Sequence, residues 1–335
     1  MSRSARYYRS FVLRRIGQGL IVLALSYVIV FTLLFFLPGD PIRARLNDPE
    51  VTYSPEQVEQ LLAYYGLDEP IWVQFWHSVS RLLQGDLGYS LISVEPVSDR
   101  LVAALPSTIQ LTVLTAVFAI VISFVVSTAA VAAPSEKIRR LAAAVPAAML
   151  SVPTFVIGLA VLQVFSYSLG WFSTLQANGW VGAIPAAAVL ALPVSAPFTR
   201  VIIENAREVE AEPFVTFGRS KGLTNGRVLL AHVARPAALP GVTMLGIAVA
   251  ELITGSVIVE AIFNRHGIGS VISSAVSGQD SPVLLGVIVL AAGAVVLVNL
   301  IVDLLYPLLD PRLRTQSTAP AGATPAGAPV AEVTS

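Results

Sequence analysis

Long uncharged runs alternate with short charge-bearing segments along this chain of 335 residues. A hydrocarbon core about 30 Å thick is crossed by about 20 apolar helical residues, so each uncharged run of that length predicts a membrane span. The first, 16–37, follows Arg3, Arg6, Arg9, Arg14 and Arg15 in the N-terminal segment 1–15. It is longer than the apolar part of a signal peptide and no small-residue cleavage site follows it. A second span, 108–133, lies within the uncharged run from Leu101 to Ser135. From Leu141 to Thr199 the chain has 59 uncharged residues, which accommodates spans at 143–165 and 183–203 joined by a turn in the polar, Gly-containing piece 166–182. A fifth span is expected at 239–263 and a sixth at 283–305. The pattern therefore predicts an all-α, polytopic integral membrane protein with six transmembrane helices and both termini on one side.

The sign of the remaining charges orients these spans, because Lys and Arg accumulate in cytoplasmic segments. Of 21 basic residues, 16 fall in the N-terminus, the 132–141 connection, the 200–239 segment and the C-terminus, all on one side. The opposite side has Arg43, Arg45, Arg81, Arg100 and Arg265, against ten acids in the segment from Pro38 to Pro106 alone. Both termini are expected in the cytoplasm, with 306–335 as a cytoplasmic tail that is Ala/Pro/Thr-rich and disordered from about 315.

Two connections carry structure of their own. In the external segment 38–106, Ser54-Pro55-Glu56-Gln57 has the pattern of a capping box with Pro at the first helical position, and Gly66 is its stop. A second helix is expected after Asp68-Glu69-Pro70, running through Trp72, Phe75 and Trp76 to Gly85. Aromatics at that spacing belong either to a face packed on the bundle or to one seated at the membrane interface. In the cytoplasmic segment 204–238, Glu204, Glu208, Glu210 and Glu212 precede Pro213, as at a helix start. Gly222 then separates this first short helix from a second one capped by Thr224. Such a hairpin is either a protruding surface for another protein or an amphipathic element on lipid headgroups. A shorter external loop, 264–282, joins the last two spans.

Composition agrees with the spans and removes several function classes. Charged residues are 13% of the chain, about half of the ~25% usual in soluble domains, and mean hydropathy is +0.74. A net charge of zero gives no basic surplus for nucleic acid. There is no cysteine, and His77, His232 and His266 are too scattered to suggest a metal site. No expected span contains G-x-S-x-G or a paired aspartate for an intramembrane protease; the one stretch with that spacing, Gly218-Arg219-Ser220-Lys221-Gly222, falls in the charged connection 204–238. No convincing repeated halves suggest a secondary transporter, while a channel stays open on physics alone.

Charges inside the bilayer are the default suspects for function. Glu251 falls near the middle of the fifth span, where it either lines a path for a cationic amine or is a helix-packing residue. Glu260 and Asp303 lie nearer the span ends, where snorkelling or helix-end packing accounts for them. Pro146, Pro153, Pro193 and Pro197 loosen backbone bonds in spans three and four, permitting motion or merely shaping the bundle.

Several blocks then carry a resemblance. Gly218-Arg219-Ser220-Lys221-Gly222-Leu223, followed by Arg227-Val228 and His232-Val233-Ala234-Arg235-Pro236-Ala237-Ala238-Leu239-Pro240, resembles the cytoplasmic loop of binding-protein-dependent ABC importer permeases, in particular the B-type member of a permease pair in the dipeptide/oligopeptide/nickel subfamily. Leu37-Pro38-Gly39-Asp40-Pro41, Gly85-Asp86-Leu87-Gly88-Tyr89-Ser90 and Ser151-Val152-Pro153-Thr154-Phe155 are similar to the same family. So are Glu260-Ala261-Ile262-Phe263 with Gly267-Ile268-Gly269, Asp280-Ser281-Pro282, and Asn299 to Asp303 leading to Asp310-Pro311-Arg312. The chain departs from the family at Thr216-Phe217-Gly218, where sugar permeases have Glu-Ala-Ala, and at Asn264-Arg265-His266, where a Trp-Pro pair often stands.

The resemblance implies a type I ABC importer transmembrane-domain fold in the cell membrane of a prokaryote. It implies a partnership with a second homologous permease, two ATP-binding subunits and an extracytoplasmic solute-binding protein, with cargo of di- or oligopeptides or, alternatively, nickel or another small solute. No G-x-x-x-x-G-K-[ST] occurs, so ATP and Mg would be bound by the partner subunits and this chain would carry no cofactor. The loop 204–238 would then be the coupling loop, with Phe214, Phe217, Gly218, Arg219, Lys221, Gly222 and Leu223 as the contact residues. Glu251, Asn299 and Asp303 are the candidates for the translocation path.

Overall fold

The structure is a computed structural model and describes residues 3–35, 54–66, 68–210, 212–213, 215, 217 and 245–309. Among the described residues all regular structure is helical, apart from an isolated antiparallel bridge between Tyr89 and Pro96. In chain order the α-helices are α1 (Arg3–Phe35), α2 (Pro55–Tyr65), α3 (Ile71–Leu83), α4 (Val97–Ala132), α5 (Glu136–Ser151), α6 (Thr154–Val161), α7 (Gly179–Glu210), α8 (Leu245–Ile262), α9 (Ile268–Ser277) and α10 (Ser281–Leu309). A π-helical turn, Leu162–Ser168, continues α6.

Four of these helices, α1, α4, α7 and α10, are long and apolar enough to cross a membrane. The segment expected as span three is instead two helices, α5 and α6 with its π turn, meeting at 95°. The break falls at Val152-Pro153, and Pro153, which has no N–H to donate, caps α6. Helix α8 lies within the expected fifth span.

The helix expected from Pro213 agrees with Pro213, Val215 and Phe217, the described residues there, which are helical. Helix α7 runs without interruption past the expected end of the fourth span at 203 to Glu210, so Glu204, Glu208 and Glu210 lie in its last turns. The physical reason is local: no Gly or Pro breaks the chain between Thr199 and Glu210. Arg200 pairs with Glu204 one turn on (2.8 Å), and Ile203 and Ala206 stay buried.

Small residues set the packing. On α4 the buried positions Ala104, Ser107, Leu111, Thr115, Ala119 and Ser123 recur every three or four residues, and α7 supplies Ala183, Ala187, Ala191 and Ser195 in the same rhythm. The two helices make the most extensive contact in the fold. Lipid offers no hydrophobic driving force between helices, so close approach and hydrogen bonds between helices hold them. Thr199 Oγ1 donates to Ser123 Oγ (3.0 Å), and Ser123 Oγ donates to the Ser195 carbonyl (3.3 Å). Along α1, Gly19 lies so near α10 that an added Cβ would stand 2.6 Å from Val296 Cγ1.

The segment expected as an external cap follows its sequence signals. Ser54 and Gln57 form the reciprocal capping box of α2, at 3.2 and 2.9 Å, and Gly66 ends the helix in the left-handed conformation at φ 63°. Burial pushes the Tyr65 phenol above its ordinary value, and its hydroxyl donates to the Tyr89 carbonyl (2.8 Å). At the opposite end of the bundle, Arg139 and Arg140 hold Glu136 below the usual carboxylate range at the start of α5.

Candidate functional site

The densest buried polar arrangement sits where α8 hands over to α9. Glu260, in the last turn of α8, has no solvent exposure. Its Oε1 accepts from Thr108 Oγ1 on α4 (2.7 Å) and its Oε2 from the Gly269 N–H at the start of α9 (2.7 Å). Thr108 Oγ1 in turn accepts from the Ile268 N–H (2.8 Å). Arg265, 1% exposed, donates through Nη2 to the carbonyl and the hydroxyl of Ser107 (3.1 Å each) and through Nη1 to the Ala177 carbonyl. Snorkelling, one of the two accounts given by the sequence for Glu260, does not occur; helix-end packing does.

This corner ties α4, α8, the start of α9 and the connection before α7 together at one end of the bundle. It also explains Gly267-Ile268-Gly269 physically. A Cβ on Gly267 would strike the Glu260 carboxylate, and one on Gly269 would lie 2.5 Å from the Val257 Cα. Gly269→Ala is therefore expected to cost about 1–3 kcal/mol through overpacking against backbone that cannot retreat, seen as a lower melting point of the detergent-purified chain. An unchanged melting point would contradict this packing. Arg265 was noted in the sequence only as part of a departure from the family pattern; its place in this cluster was missed because its burial is a tertiary property.

A second cluster lies at the other end of α9. Asp280, fully buried, accepts from Ser90 Oγ (2.5 Å) and the Leu91 N–H (3.0 Å), while Arg100 Nη1 reaches Ser90 Oγ at 2.9 Å and Asp280 Oδ2 at 3.4 Å. The Gly85 to Ser90 block and the Asp280-Ser281-Pro282 block, 190 residues apart at Ser90 and Asp280, thus meet in one contact.

Of the expected path residues, Glu251 is exposed on α8, on the same face as Thr254, Ile258 and Ala261. Asn299 is exposed on α10, between exposed Leu297 and Ile301. Asp303 lies on α10, with its side chain outside the described residues. In the segment expected as the coupling loop, Phe217 is described and 62% exposed, next to fully buried Val215. Phe214, Gly218, Arg219, Lys221, Gly222 and Leu223 lie outside the described residues.

Sequence reasoning missed an apolar groove of ≈ 690 Å³ between α4, α6, its π turn and α7, lined by Phe118, Ile122, Val161, Phe165, Trp171 and Ile184 among others. No charged side chain lines it, so it suits apolar groups only. The aromatics come from three separate segments, α4, the π turn and the connection after it, which no periodicity in one of them reveals. Among the described residues no group of three or more His, Cys, Asp or Glu could hold a metal ion.

Residues 120–315 match the family described as binding-protein-dependent transport system inner membrane component, and residues 8–112 match the N-terminal family of the same membrane components. The chain is 33% identical over 305 residues to the glutathione transport system permease protein GsiC of Escherichia coli O6:H1, covering 91% of this chain and 99% of that protein. It is 32% identical, over the same shares, to GsiC of Shigella boydii serotype 4. A crystal structure of an amino acid ABC transporter with histidines aligns at a TM-score of 0.45 and 16% identity, covering 64% of this chain and 94% of that one.

Proposed function

Because this chain belongs to the family of binding-protein-dependent transport system inner membrane components, and is thus a multi-pass inner-membrane permease of an ABC importer, we propose that its cargo is a short peptide. The observation that carries the cargo class is the end-to-end match with a glutathione permease, glutathione being a small peptide with a free amine. In this reading the chain has the type I importer fold, with six spans and both termini in the cytoplasm. It pairs with a second permease of the same family to enclose the path. A solute-binding protein delivers the peptide, and two subunits that bind ATP and Mg supply the energy. The chain itself hydrolyses nothing, and the assembled complex is the ATP-driven translocase.

Glu251 fits this role by placement. An exposed carboxylate in the middle of a span is too costly to face lipid, so water or the second permease covers it in the assembly. A carboxylate on a watered path attracts a peptide amine. Glu251→Gln removes the charge and keeps the shape, so KM for peptide uptake in proteoliposomes should rise roughly tenfold, equivalent to about 1.4 kcal/mol, with insertion unchanged. An unaltered KM removes Glu251 from the path. The cargo itself is tested by isothermal titration of the associated binding protein: affinity for short peptides supports the reading, while affinity for nickel alone replaces peptide by metal.

A further inference from the structure

The external helix α3 has more apolar surface than the bundle covers. Its inner face, Ile71, Phe75, Val79 and Leu82, packs on Tyr27 and Phe31 of α1 and on Leu285 and Val289 of α10. The Phe75 ring stands 5.2 Å from Phe31, edge to face, and 6.1 Å from Tyr27. Those partners belong to the apolar stretches Val12–Leu33 and Ser281–Val302. At about 1.5 Å per residue, Phe31 and Leu285 are within about 3–6 Å of the ends of these stretches. Helix α3 is therefore held beside the bundle, level with the outer edge of the hydrocarbon.

Around the helix, at about 100° per residue, Trp72, Leu83 and Trp76 fall within an arc of roughly 40° directly beside that inner face. All are open: 66%, 83% and 65% exposed. Exposed Ser80, Gln84 and His77 come next around the circumference. The rotation is fixed by polar contacts: Tyr27 donates to Ser78 Oγ (2.6 Å), Gln74 Nε2 to the Glu69 carbonyl (2.9 Å), and the Arg81 guanidinium lies 4.2 Å over the Tyr64 ring. The apolar arc thus continues off the protein and gives way to a polar one, as in a helix lying in the plane of an interface. Trp171 and Trp180, the other two of the four tryptophans, are also exposed, on the connection between α6 and α7 and in the first turn of α7.

We infer that α3 is a membrane-interface anchor, with Trp72, Trp76 and Leu83 seated in lipid at the headgroup boundary of the outer leaflet. Tryptophan suits that depth because its ring is apolar and its indole N–H finds water or headgroup oxygens. The occupant is lipid because the inner face of the helix already rests on two membrane spans, and the open arc adjoins it without a break. Anchored there, α3 fixes the height of the α1–α10 pair in the bilayer.

The test exploits the absence of cysteine from the chain. Leu83→Cys, which leaves both tryptophans in place, Trp76→Cys and Ser80→Cys are each labelled with a nitroxide before assembly with the partner subunits in phosphatidylethanolamine/phosphatidylglycerol nanodiscs. Power saturation is then read with oxygen, which concentrates in lipid, and with a neutral nickel chelate, which stays in water. The anchor predicts that labels at 83 and 76 relax more with oxygen and the label at 80 more with nickel. Equal nickel access at 83 and 80 would place the helix in bulk water and overturn the inference. Shielding of 83 from both reagents would overturn it too, by assigning the arc to a protein partner.

Discussion

Replacing Gly222 by Asp, or deleting Phe214 to Leu223, abolishes ATP-driven uptake while the chain still inserts in the membrane. In the proposed reading ATP is bound by partner subunits, and the energy arrives by contact with them. The segment after α7 is where that contact is expected. Helix α7 is continuous from Gly179 to Glu210 and packs closely on α4, so displacement at its end is expected to reach both spans. Gly222 is the residue that most readily enters a left-handed bend, and an Asp there adds both strain and a charge. Phe214, Phe217 and Leu223 would supply most of the contact energy, since exposed pairs made by Arg219 and Lys221 are worth only about 0–1 kcal/mol each. The assay compares ATP hydrolysis by the assembled complex with uptake into proteoliposomes. Hydrolysis without uptake is the expected outcome, and normal uptake by the deletion variant would remove the loop from the coupling step.

Glu260→Ala is expected to be the most damaging single change within the described part of the bundle. It deprives Thr108 Oγ1 and the Gly269 N–H of their acceptor and leaves Arg265 buried beside an emptied site. Each orphaned buried group costs about 1–3 kcal/mol, so the loss is roughly 2–6 kcal/mol. In practice this means a chain that is degraded or that melts well below the parent in detergent. Glu260→Gln keeps an acceptor for Thr108 and should lose much less. If the Ala and Gln variants melted alike, the hydrogen bonds would not be what holds the corner.

What the sequence disclosed depended on how local the cause was. The capping box of α2, its stop at Gly66 and the helix after Pro70 are decided by residues within a turn of one another, and each forms where those residues stand. The uncharged runs located the long helices for the same reason: transfer into hydrocarbon is nearly a sum over residues. Ends and bends were less legible. The fourth span was expected to end at 203, yet tertiary burial of Ala206 and the Arg200–Glu204 pair carry α7 on to Glu210. Pro153 announced a weakness in span three but not a 95° turn, whose size depends on what α6 packs against. Least legible were the contacts across the chain. Glu260, Thr108 and Gly269 were visible as residues, two of them inside family-like blocks, but their meeting on one carboxylate is a product of the fold. The apolar groove could not be read at all, because four segments contribute its wall.

The central claim is that this chain is a path gated by a motor held in other subunits. Its most direct test measures transport of a radiolabelled short peptide into proteoliposomes containing either this chain alone or the chain with its second permease, ATP-binding subunits and binding protein. The account predicts accumulation against a gradient only in the complete assembly, only with ATP and Mg inside the compartment facing the ATP-binding subunits, and no flux through the chain alone. Peptide flux through the chain alone, running down its gradient without ATP, would make it a channel and contradict the account.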